Sequence, residues 1–187
     1  MGLFTRRAPR AELPPVVVKT LELARGERVL AFALDDNTGA HVVATTYALA
    51  VVISPAMSST AVTTSTAERA VRRRWLSVDA GAWEPETATL TVTWADGSRA
   101  GQWSLRDQPT QLPETVRERV QTSVVISTRL TLGDRRSGRV AIRQDFATGE
   151  LIAQTILGRY TRADDPEVQA HVLAALAHLR DQVGLPA

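Results

Sequence analysis

His171 and His178 stand seven residues apart in a stretch of helical periodicity, the nearest thing in the chain to a metal-ligand pair. Seven residues is two helical turns, so both rings fall on one face. Metal-binding helical pairs are usually four apart and bring a third ligand. We therefore read both as boundary histidines. His41, which opens an apolar run, reads as a strand-end residue. The stretch Gly133-Asp134-Arg135-Arg136-Ser137-Gly138-Arg139-Val140 nearly spells a phosphate-binding loop. It lacks the lysine that reaches the phosphates and the hydroxyl that holds magnesium, and it lies between two strand-like segments, so a hairpin turn is expected. Asp35-Asp36-Asn37-Thr38-Gly39 has the look of a calcium loop. Its glycine comes one place early and no glutamate closes it, so it too reads as a turn. No serine sits in a nucleophile-elbow pattern, and Asp164-Asp165 is explained by helix capping. The chain has no cysteine, which removes disulfides, thiolate nucleophiles, iron–sulfur clusters and Cys-ligated zinc. We expect no catalytic residue, no metal and no cofactor. The reading is not an enzyme, with a small-ligand or catalytic pocket assembled from distant residues as one alternative.

Arginine is the residue type left with something to offer. Lys19 is the only lysine among 22 basic residues. Two groups of arginines, Arg6, Arg7 and Arg10 in the first residues and Arg72-Arg73-Arg74, are candidates for contact with an anion or an anionic membrane surface. The net charge is +2, and the first group alone supplies three positive charges, so the rest of the chain is near neutral. Nucleic acid is therefore not an expected partner. No apolar run approaches the roughly 18–20 residues of a membrane span, and no apolar leader opens the chain. The cytoplasm is the expected compartment, peripheral to the membrane if the arginine alternative holds.

Positioning these residues requires a mostly antiparallel scaffold. Residues 1–13 read as a flexible basic tail. Pro14-Pro15 opens a helix over Val16–Ala24, with Gly26 as the residue after its cap. A strand follows over Glu27–Leu34. Ala40–Ser54 is too long for one strand and divides at a bend near Thr45-Thr46-Tyr47. Ser54–Thr66, small and hydroxylated, reads as a loop. Arg72-Arg73-Arg74 then leads into a strand at Trp75–Val78. The centre of the chain is Thr87–Leu105, where Asp96-Gly97 is the strongest hairpin signal, because a type I′ turn needs φ > 0 at both central residues. A two-residue turn there sets Leu90 against Trp103, Val92 against Gly101 and Trp94 against Arg99. The other face becomes Thr89–Ser104, Thr91–Gln102 and Thr93–Ala100, so one side is apolar and one polar. Arg99 would lie over the Trp94 ring.

A second helix starts at Leu112-Pro113, with Leu112, Val116, Val120 and Val124 on one face. Three strands follow as a meander. In it Val140 and Ile142 share one face, and Arg139, Ala141 and Arg143 the other. The last helix is capped by Asp164 or Asp165 and carries the stripe Val168, Val172, Ala175, Leu176, Leu179 and Val183, with Gly184 as its stop. The fold class is therefore α+β: antiparallel strands capped by a helix, residues 14–127, then residues 128–187 as a three-stranded meander and C-terminal amphipathic helix that share the same core or form their own.

Gly26-Glu27-Arg28-Val29-Leu30, Val42-Val43-Ala44-Thr45, Arg73-Arg74-Trp75 before Val78, and Leu90 and Val92 with Trp94-Ala95-Asp96-Gly97 follow one another ahead of the helix from Pro113. In that order they resemble bacterial pleckstrin-homology-like domains related to GRAM domains, as in actinobacterial proteins of about this length. The resemblance covers residues 15–127. It departs at Thr46 and Tyr47, where such domains often carry an acid and an arginine. It implies a curved antiparallel β-sandwich or open barrel capped at one end by a helix, and binding of proteins or membranes instead of catalysis. The leading expectation is thus a non-enzymatic protein-interaction module, an adaptor of unknown partner, with peripheral binding to anionic membranes as the alternative.

Overall fold

The apolar stretch from Val29 to Ile53, interrupted by Asp35–Gly39 and by Thr45–Tyr47, is the source of the first sheet. In the computed structural model, which describes residues 12–53 and 69–186, it forms β1 (Val29–Leu34), β2 (His41–Thr45) and β3 (Ala48–Ile53). The bend falls at Thr45–Tyr47, where the Thr45 hydroxyl accepts the N–H groups of Tyr47 and Ala48. β4 (Arg69–Arg74) completes a four-stranded antiparallel sheet in the order β1-β2-β3-β4. Through β2 and β3 the stretch lacks alternation because both faces are covered. Ala31, Ala33, Val42, Ala44 and Leu49 face an inner core, while Val43, Ala50 and Val52 lie under Val17 and Leu21 of α1 (Pro15–Leu21). That helix stops short of Ala24. Glu22 takes the left-handed conformation (φ 46°) that ends it, and Gly26 (φ 79°) instead serves the turn in which Glu27 N–H donates to the Ala24 carbonyl. The Arg6, Arg7 and Arg10 tail and the Ser54–Thr66 loop lie outside the described residues.

Trp75-Leu76-Ser77 is a 3-10 turn and not the start of a strand; the strand is the arginine run itself. The turn is the corner between two sheets, and it is bent there because the Trp75 indole is buried and donates through Nε1 to the Thr45 carbonyl. Beyond it β5 (Val78–Glu84), β6 (Thr89–Trp94) and β7 (Gly101–Ser104) form a three-stranded antiparallel sheet. The expected register is present: Leu90 pairs with Trp103, Val92 with Gly101, Thr89 with Ser104 and Thr91 with Gln102. Leu90 and Trp103 are buried in the core. Gly101 is a glycine for a visible reason, since a Cβ there would stand 2.4 Å from Trp103 Cη2.

The turn itself differs from the expectation. Among its two central residues only Gly97 has positive φ, and the ladder stops at Val92–Gly101, so the pairs Trp94–Arg99 and Thr93–Ala100 do not form. Trp94 is held instead by β5, opposite Val78, and Ala95 N–H donates to the Ser77 carbonyl. It is Arg73, not Arg99, that lies over the Trp94 ring, 4.3 Å from its centroid.

α2 (Leu112–Ser123) presents Leu112, Val116 and Val120 to the core between the two sheets. It packs on β5 at Gly81, where a Cβ would stand 2.7 Å from Val116 Cγ1. The helix runs with no linker into β8 (Val124–Arg129), so a division at residue 127 falls inside a strand. β8, β9 (Gly138–Gln144) and β10 (Leu151–Leu157) make the expected meander, in the order β10-β9-β8. α3 (Pro166–Gln182) covers it, with Asp165 accepting from Glu167 N–H as the cap and Gly184 (φ 69°) beyond its end. Leu130, Leu132, Val140, Ile142, Val168 and Leu179 form an apolar cluster of its own there. The described chain is thus mixed α+β, three antiparallel sheets with three helices, and none of its sheets closes into a barrel.

Candidate functional site

Arg72, Arg73 and Arg74 are each committed to an acid. Arg72 Nη2 donates to both oxygens of Glu27, and Nη1 donates to the Leu21 and Glu22 carbonyls at the end of α1. The Glu27 side chain is wholly buried. Burial alone would raise its pKa, but hydrogen bonds from Thr45 and Arg72 outweigh that and hold it below the ordinary 4.5. Arg73 stacks on Trp94 and reaches Asp96 and Ser98. Arg74 reaches the buried Asp145.

Arg74 belongs to a junction the residue types did not advertise. The face of β9 carrying Arg139, Ala141 and Arg143 turns toward the corner at Trp75–Val78 instead of toward water. Arg143 is among the most buried side chains, and its guanidinium donates to the carbonyls of Trp75, Leu76 and Val78, to Gln154 Oε1 and to Ser123 Oγ. Desolvation, with Arg139 nearby, presses its pKa down, yet an arginine stays charged at any ordinary pH. Arg139 pairs with Asp79, and Arg119 lies 3.8 Å over the Phe146 ring and donates to the Thr46 carbonyl.

The junction also explains a repeat that was readable but unread. Asp35-x-x-Thr38-Gly39 and Asp145-x-x-Thr148-Gly149 are two copies of one hairpin. In both, the aspartate carbonyl accepts from the glycine N–H, and the aspartate N–H donates to the carbonyl of the residue after the glycine. Asp35 uses its carboxylate to receive Ser104 N–H of β7, and Asp145 receives Arg74 of β4. Each buried aspartate thus ties its hairpin to another sheet. The remaining candidates are accounted for similarly. The phosphate-loop lookalike is the β8–β9 connection, and its Arg136 pairs with Asp165 and Glu167 at the start of α3. His171 Nδ1 meets the Glu167 carbonyl and His178 Nε2 meets Gln182. Among the described residues there is no group of three metal-ligating side chains, and no helix long and apolar enough to cross a membrane.

What is left open lies at the far end of the third sheet. α3 seats Val168 and Leu179 over β8 and β9, off centre. The inward row of β10, Leu151, Ala153, Thr155 and Leu157, is only half covered. Between that row and the helix runs an apolar groove of about 480 Å³ lined by Thr155, Leu157, Ala163, Val168, Gln169, Val172 and Leu173. Its end is fixed. Ser137 and Thr161 exchange hydrogen bonds, Gly158 has no room for a Cβ against Ser137, and Gln169 donates to the Ala163 carbonyl. Leu173, on the groove side of α3, is 68% exposed. Along the rim the outward N–H and C=O groups of β10 have no partner among the described residues. A groove of this kind can take apolar side chains, and a bare strand edge can take an extended backbone. No family model matches the chain, and neither the curated proteins nor the solved structures contain a match to it.

Proposed function

We propose that this chain is a non-enzymatic protein-interaction module whose docking surface is the β10 edge together with the apolar groove under α3. The observation that carries the reading is that edge: a row of backbone groups with no partner among the described residues, beside half-covered apolar side chains. Such a pair of features favours an extended polypeptide, whose backbone completes the ladder and whose alternate side chains fill the groove. We place it on a pleckstrin-homology-like scaffold over residues 14–127. Supporting that are a four-stranded and a three-stranded antiparallel meander facing one core, followed by a helix packed against both. The space between those sheets is filled by Trp75, Leu49, Leu90, Val92, Leu112 and Val116, which favours surface recognition over a ligand held inside.

A photo-crosslinking side chain placed at Leu173, with one at exposed His178 on the opposite side of α3 as control, tests this in cells. The expected result is a protein adduct from position 173 and not from 178. Equal labelling from both, or none from 173, would rule the reading out.

A further inference from the structure

Among the described residues the sheet edges are guarded, with one exception. β1 carries a register shift between Val29 and Ala31, and the Gln108 and Thr110 side chains bond its Leu34 and Phe32 backbone. β4 bears Arg69, Arg72, Arg73 and Arg74. β5 and β8 each carry a shift, and β7 is four residues long. These are the devices by which edges avoid pairing with another chain. β10 has none of them. Its seven residues, Leu-Ile-Ala-Gln-Thr-Ile-Leu, pair with β9 without a shift and contain no charge, no proline and no glycine. Ile152, at 39%, is among the exposed large apolar side chains.

The charges that bracket this strand say what fits it. Glu150 precedes it and Arg159 follows closely, both exposed. Read against its own reverse, the strand is self-complementary. With Gln154 opposite Gln154 of a second copy, Leu151 meets Leu157, Ile152 meets Ile156 and Ala153 meets Thr155. At both ends Glu150 of one copy then lies opposite Gly158 of the other, one residue along the chain from Arg159.

We propose that the occupant of this edge is a second copy of the chain, paired antiparallel through β10 about a two-fold axis, so that two three-stranded sheets become one of six strands. The groove then closes against the second copy, and Leu173 of each helix is covered. This rests on the docking surface assigned above and names its occupant. Isologous pairing suits the geometry, since one patch supplies both sides of the contact.

Light scattering on the eluting full chain across a dilution series tests it. A mass twice the 20.3 kDa of the chain is expected. Ile152→Lys places a charge on the bare edge and should shift the protein to monomer. Glu150→Arg and Arg159→Glu each set like charges side by side and should weaken the dimer by about tenfold or more. The double substitution should restore it, which loss of folding could not mimic. A monomer at every concentration, or a dimer indifferent to these substitutions, would overturn the proposal. An adduct from position 173 to a different protein in cells, with the purified chain monomeric, would overturn it while leaving the interaction module standing.

Discussion

At the scale of single residues, two buried charges carry more than their neighbours. Glu27 and Arg72 join α1 to the first sheet: Arg72 Nη2 reaches both carboxylate oxygens and Nη1 the Leu21 and Glu22 carbonyls, while Glu27 also accepts from Ala24 N–H and the Thr45 hydroxyl. Breaking one side of a buried pair typically costs about 3–5 kcal/mol, because the other charge is left behind. Arg72→Ala is therefore expected to lower unfolding stability by about that amount, measured by urea denaturation. The pair also sets a pH dependence. The folded pKa of Glu27 lies below its ordinary 4.5, so its contribution is fully present above that value and is lost as pH falls through the folded pKa. Glu27→Gln should flatten that acid limb of the stability curve. Arg143 is the second case. It has five acceptors, three backbone carbonyls, an amide oxygen and a hydroxyl, with no carboxylate among them. Arg143→Lys keeps the charge but offers three donors without the planar fork. It is expected to destabilise by about 2 kcal/mol or more, since buried carbonyls lose their donors.

At the scale of elements, close approach decides what can be changed. Gly81 lets α2 sit on β5 with Val116 against the strand backbone. Gly81→Ala should cost about 1–3 kcal/mol through overpacking, and Val116→Ala in the same chain should recover part of that loss. A double-mutant cycle by thermal denaturation would show the non-additivity. Most elements were legible because their sequences carry local physics: the Asp165-Pro166 start of α3, the divided run at Ala40–Ser54, and the alternation that set Leu90 and Trp103 on one face. Three features were not. The Asp96-Gly97 corner has a two-residue signature, but Trp94 is claimed by β5. Trp75-Leu76 looks extended by composition, yet a corner between sheets is a tertiary demand. The arginine face of β9 alternates as a solvated face would, and only packing shows that it meets carbonyls. The open groove left no local signal, since it comes from where α3 rests and not from which residues it contains. The repeated Asp-x-x-Thr-Gly was a signal that comparing the two halves would have found.

At the scale of the whole molecule, the apolar cluster of the third sheet is joined to the rest less by a common core than by directed polar contacts: Arg74 to Asp145, and Arg139 and Arg143 to the β5 corner. The meander and α3 have their own cluster, so loosening the junction should separate their melting from that of the rest. Calorimetry on Arg143→Ala is expected to resolve two transitions where the parent chain shows one; a single sharp transition in the variant would mean the clusters are coupled by other means. The buried guanidinium also sets an order of events in biosynthesis. The carbonyl of Trp75 leaves the ribosome 68 residues ahead of its donor. At about 5–20 residues per second that is a delay of about 3–14 s. Throughout it the carbonyls of Trp75, Leu76 and Val78 lack the guanidinium that satisfies them in the folded chain, so the corner between the first two sheets is completed only once residue 143 has been made.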